Sequence, residues 1–316
     1  WYRQVNPISL GTDYPTWPPI GSQAVPWQGN YDGMWNSISG LNCSTGSYQG
    51  LFAAVANSTV RNLSLSGSVT GTTNLGILAG RVNASELNYV SVNSGTVNGT
   101  DLAGGIAGEA TGGSLLVSCI NWANVTISGS GACYGGGFVG MLDSSQVSGG
   151  SAYGSVSALS AVAGGVAGLA LGTAKIQNLY VSVSSAGGSV GGVVGRLDQS
   201  AVIQGVSSSG TINGTSETGG LVGVCAGSGM VQDSSFAGTV TVSGSSDRVG
   251  GLFGHLLGGR LVREGSMGNV TAGTTTSVGG LVGLQAAGTS ISQCYASGTV
   301  VGSINVGGLV GGANGS

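Results

Sequence analysis

The chain has 316 residues, 65 of them Gly, with 41% hydrophobic and only 6% charged residues, and a formal net charge of −3. Collagen is excluded, because it needs Gly at every third position and abundant Pro, and only five prolines occur. A disordered Gly/Ser linker would lack the hydrophobic content, and eight scattered cations cannot build a surface for nucleic acid or an anionic membrane.

The N-terminal segment, residues 1–49, differs from the rest. All five prolines (Pro7, Pro15, Pro18, Pro19, Pro26) lie in it, with four of the five tryptophans. The chain starts at Trp1 without a signal-peptide pattern, so a mature or excised product is expected. Trp1, Trp17, Trp27 and Trp35 are expected either to plug the end of a repeat array or to dock a partner, since Trp is a favoured interface anchor.

From Gly50 a repeat takes over and runs through residues 50–316. Reference glycines stand at 50, 76, 105, 137, 165, 192, 220, 251, 280 and 308, a period of about 28–29 residues. The next two positions are apolar in all ten copies, from Leu51-Phe52 to Leu309-Val310. The third is Ala53, then Ala79, then Gly in every copy from Gly108 to Gly311. Either there is no room for a side chain there, or the backbone turns through positive φ. A second apolar column reads Val60, Leu87, Leu115, Val147, Ile176, Ile203, Val231, Val262 and Ile291. A third reads Val69, Val97, Val125, Val156, Val183, Ile212, Val240, Val270 and Val300, nearly all flanked by Ser, Thr or Asn. That is strand alternation, with one residue inward and polar neighbours outward.

Three short strands and their corners make one coil of an all-β, parallel β-solenoid (β-helix) of about ten coils, capped by the N-terminal segment. Propeller blades need about 40 residues or more, longer than this period. The stretch Ala158–Gly172 is too short and too rich in Gly and Ala for a membrane span. The unit Gly279-Gly280-Leu281-Val282-Gly283, with Ile291 and Cys294 to Val300, resembles the GLUG motif. Gly219–Gly223, Gly250–Gly254 and Gly307–Gly311 repeat its core, with weaker versions at Gly50 and Gly76. The resemblance implies the architecture of extracellular surface proteins, among them adhesins and immunoglobulin A peptidase stalks, and no catalytic residues.

Nine Asn-x-Ser/Thr sequons, at Asn42, Asn57, Asn62, Asn83, Asn98, Asn124, Asn213, Asn269 and Asn314, favour a secreted protein carrying covalent N-glycans. The chain ends just after a full-strength core motif, with Leu309 and Val310 expected at an open end. Either more protein follows, or that end stacks on the N-terminal face of another copy, which would build a filament.

Candidate chemistry is sparse. His255, the single His, occupies a variable column and is expected on the surface. Asp143 and Asp198 repeat at one position, but on coils that are not adjacent. Five widely spaced cysteines match no zinc pattern; Cys119 and Cys294 share a register expected to be buried, and Cys43, Cys133 and Cys225 fall in unrelated columns. No catalytic, cofactor or metal residue is assigned, and no enzyme is expected. The expected function is a structural or adhesive extracellular glycoprotein that associates end to end. The alternative is a monomeric stalk or adhesin module binding surface glycans or host proteins. An ice-binding Ser/Thr array and a polysaccharide-degrading β-helix rank below both.

Overall fold

A computed structural model describes residues 1–11, 16–242, 248–274 and 277–314; Pro15 and Ser316 lie outside them. All regular structure within them is β-strand. The residues after each reference glycine form the first strand of a coil, from Phe52–Ala56 through Val222–Cys225 to Val310–Asn314. Ten such strands stack in chain order as one parallel sheet. The remaining strands stack equally in parallel, coil on coil. In the C-terminal half they are short, as in Met230–Gln232, Ser235–Phe236, Thr239–Val242 and Arg248–Gly250. In the N-terminal half they fuse into Thr59–Thr70 and Glu86–Gly99. The fold is the expected all-β parallel solenoid, with each coil subdivided more finely than into three strands.

The inward column of the third strand is Cys43, Val69, Val97, Val125, Val156, Ser185, Ile212, Val240, Val270 and Val300. Ser185 stands where Val183 was expected. Val181, Val183 and Ser185 share one parity, and a shift of two residues keeps the same face inward, so alternation cannot choose between them. Leu116 and Leu261 replace Leu115 and Val262 in the second column. Both slips fall where adjacent apolar residues erase the alternation. In Gly76-Ile77-Leu78-Ala79-Gly80 one extra residue moves Ala79 into register with Phe52, so Gly80 takes the third-column place.

One corner recurs in every coil. Asn62, Tyr89, Ser118, Gly149, Asn178, Gly205, Asp233, Arg263 and Gln293 share a register, and all have φ between 52° and 68°. This left-handed conformation costs a non-glycine residue about 1–2 kcal/mol. Its amide still bonds to the next coil, as Asp233 N–H does to the Val262 carbonyl at 3.1 Å. At a second corner Ser58, Ser85, Ser114 and Ser145 form a buried ladder. Each of the last three accepts the amide of the serine one coil earlier at 3.0–3.2 Å.

The N-terminal segment continues the same ladder. Tyr2 pairs in parallel with Tyr31, Ile8 with Ile38, Ile20 with Phe52 and Trp27 with Val55. The glycine columns reflect close approach, since none of the third-column glycines has positive φ. A Cβ on Gly137, Gly165, Gly192, Gly220, Gly251 or Gly280 would collide with the carbonyl oxygen of the matching glycine one coil on. A Cβ on Gly308 would meet nothing within 4 Å. Gly192→Ala is therefore expected to destabilise the chain by about 1–3 kcal/mol in urea unfolding. In the single, unassociated rod Gly308→Ala should stay within about 0.5 kcal/mol of wild type.

Candidate functional site

The third strand presents a polar face. On one side of its inward column stand Asn42, Ser68, Thr96, Asn124, Ser155, Ser184, Thr211, Thr239, Asn269 and Thr299, one per coil. The other side is also Ser, Thr or Asn except at Ala186 and Val301. Outward groups partner across coils. Ser68 and Thr96 hydroxyls lie 2.8 Å apart, and the Asn124 side-chain Oδ1 accepts from Ser155 N–H and Oγ.

Asn42, Asn57, Asn98, Asn124, Asn213, Asn269 and Asn314 are exposed. Asn62 and Asn83 are half-buried and engaged: Asn62 Nδ2 donates to Asp32 Oδ1, and Asn83 Oδ1 accepts from Thr111.

At the N-terminal end Trp17 and Trp27 pack on the core. Trp17 Nε1 donates to the Leu51 carbonyl at 3.1 Å, and Trp27 lies 4.9 Å from the Phe52 ring. With Tyr2, Ile8, Ile20 and Phe52 they line an apolar cavity of about 270 Å³. Trp1 and Trp35 lie away from it: Trp1 stacks under the Arg61 guanidinium, and Trp35 meets Tyr89 on the rod's side. At the other end Leu309 is 51% exposed and Val310 half-buried, beside exposed Val301, Ile304 and Val306.

Among the described residues, the two acids that repeat at one position are each engaged by a neighbour. Asp198 is tied to Arg196 at 2.8 Å, and Asp143 accepts from the neighbouring Ser144 hydroxyl. Among the described residues no three of His, Cys, Asp or Glu cluster as metal ligands. His255 is 7% exposed, not a surface residue. The segment holding Glu217 and Thr218 packs over its strand, and the adjacent Arg248 guanidinium bonds Glu217 at 2.8 Å. Burial, and then the Arg248 charge, lower the His255 pKa.

Cys43 stands in the third-strand column, and Cys225 pairs with Leu197 and Leu256, so both occupy apolar core positions. All five thiols are free. Burial pushes Cys43 up to about 11, and Cys119 and Cys225 up to about 12. At pH 8 a bulky maleimide is expected to label Cys133 and Cys294 in the folded chain and spare the other three, as peptide mass spectrometry would report.

Two features escaped the sequence reading. Glu264 is fully buried in the column of Val90, Cys119, Val206 and Ser234. Its Oε1 accepts the Ser234 amide at 3.2 Å, and its Oε2 has no partner. Burial pushes this carboxyl up to about 8. The other is a ring cluster: Trp122 stacks on Tyr153 at 3.9 Å, and Tyr180 leans on Tyr153 at 6.1 Å. The interval of 31 residues between Trp122 and Tyr153, one coil at that place, was its only sequence signal.

A family profile described as the GLUG motif matches residues 274–301. No curated protein matches the chain. Among solved structures, one named "a putative immunoglobulin A1 protease from Bacteroides ovatus" superposes with a TM-score of 0.51. It shares 21% identity, over 83% of this chain and 77% of that one. Another, named "IgA1 Protease", has a TM-score of 0.41 at 18% identity; 96% of this chain matches 20% of that one. The GLUG repeat and the solenoid fold are thus found here, and at 21% identity the likeness to the first structure is one of fold.

Glu264 gives the chain a pH signature. Its folded pKa lies above its unfolded value, so between the two the folded state holds more protons and stability falls as pH rises. Wild-type melting temperature is expected to drop from about pH 5 to about pH 8, and Glu264→Gln should flatten that drop. Parallel slopes in the two proteins would refute the assignment.

Proposed function

We propose that the chain is an extracellular structural and adhesive rod, N-glycosylated on exposed sequons, that associates end to end into a filament. The observation that carries this reading is the uninterrupted parallel ladder with an apolar surface at each end: the Trp17–Trp27–Phe52 cavity and the exposed Ile304, Val306 and Leu309. A further parallel coil covers such a surface and pairs its backbone groups, and a head-to-tail contact that does not close propagates. The seven exposed sequon asparagines support the glycoprotein assignment.

Negative-stain microscopy over a concentration series is expected to show rods that lengthen in steps of roughly 50 Å, the stacking length of ten coils. Leu309→Asp and Val310→Asp should leave single rods. Single rods of wild type at every concentration would overturn the filament. Peptide mass spectrometry of protein from its natural source is expected to find hexose on Asn98, Asn124, Asn213 and Asn269; bare asparagines would remove the glycan assignment.

A further inference from the structure

Two outward columns run side by side on the second half of the second strand. One is Ser91, Ile120, Ser151, Tyr180, Ser207 and Ser235. The other holds Trp122, Tyr153, Ser182 and Ser209. Neither carries a charge over this stretch. Within this field of hydroxyls the rings of Trp122, Tyr153 and Tyr180 form one exposed cluster. Trp122 is 50% and Tyr180 46% exposed. Trp122 and Tyr153 are within 13° of parallel, so the tyrosine covers one indole face, and half of the Trp122 surface stays exposed. Tyr180 is tilted by 53° to Tyr153, and its hydroxyl lies 3.4 Å from Ser209 Oγ.

We propose that this ring cluster and its serine rim bind a neutral oligosaccharide. The C–H face of a pyranose carries slight positive charge and complements the negative face of an aromatic ring. The sugar's hydroxyls find donors and acceptors in Ser151, Ser182, Ser207 and Ser209. The rings are held by the coil pitch and by one another, so binding orders few side chains. An acidic or basic ligand finds no counter-charge in these columns. Asp233 and Arg263, farther along the rod, already satisfy each other at 2.6 Å. A protein partner would need about 800 Å² on this side, whereas the cluster spans three coils, about 10 Å of rod. The inference does not depend on end-to-end association.

The test is saturation-transfer NMR and calorimetry on the intact chain with cellohexaose, xylohexaose and mannohexaose, and with oligogalacturonate as the acidic control. At least one neutral sugar should receive saturation from the aromatic protons. Trp122→Ser and Tyr180→Ser should each weaken its binding about tenfold. These variants install the residue type of Ser182 and Ser207, found at the same registers on later coils, so the ladder is preserved. Trp35→Ala, at a separate exposed ring, should leave binding unchanged. No neutral sugar bound at about 1 mM ligand, equal binding by the serine variants, or preference for oligogalacturonate would each overturn the proposal. Rod length by microscopy, read in Trp122→Ser, separates this outcome from failure of the filament.

Discussion

Everything in this molecule depends on how closely one coil's backbone lies on the next. The carbonyl of each reference glycine from Gly165 to Gly308 occupies the space that a Cβ would need on the matching glycine one coil earlier. That approach brings the amides and carbonyls of successive coils into register and lets Val, Leu and Phe stack as a continuous column. The apolar interior then does the rest: Phe138, Phe236 and Phe253 are fully buried, and no coil could bury its own face alone. Stability is therefore a sum of nearest-neighbour terms. Four of the inter-residue ion pairs bridge adjacent coils, Arg61 to Asp32, Arg81 to Glu109, Arg248 to Glu217 and Arg263 to Asp233. Their partial exposure limits what they add.

The architecture was legible because one physical rule repeats. A β-branched residue between two hydroxyl or amide residues, as in Thr239-Val240-Thr241, can only be a half-buried strand. Ten copies at one period leave little but a solenoid. Register was legible only where the alternation was clean. It failed at Leu115-Leu116-Val117, where three apolar residues in a row offer no face. It failed at Val183, where the true inward residue is a serine. The burial of His255 was not legible at all. What covers it is the preceding coil's Glu217 segment, a contact between coils that the residue types of its own column do not report.

The site features show the same division. Exposure of Asn98 or Asn213 follows from strand alternation. The engagement of Asn62 and Asn83 follows from corner geometry that composition does not report. Glu264 sits one residue past the left-handed corner, in a column whose other members are mostly apolar, and a single acid there leaves no periodic trace. The Trp122–Tyr153 stack is visible in the sequence only after coil lengths are known, since the two residues differ in type and stand 31 apart.

The direction of the inter-coil hydrogen bonds has a mechanical consequence. They run along the rod, because each coil bonds to the next through its whole perimeter, and the chain enters at one end and leaves at the other. A pull on the two termini therefore loads the terminal coil's bonds one after another, and the rod peels a coil at a time at low force. A sideways load meets many ladders at once, since bending the rod must stretch all the bonds on one flank together. Such a shaft is stiff against deflection and yields progressively, with no single rupture, when drawn out lengthwise.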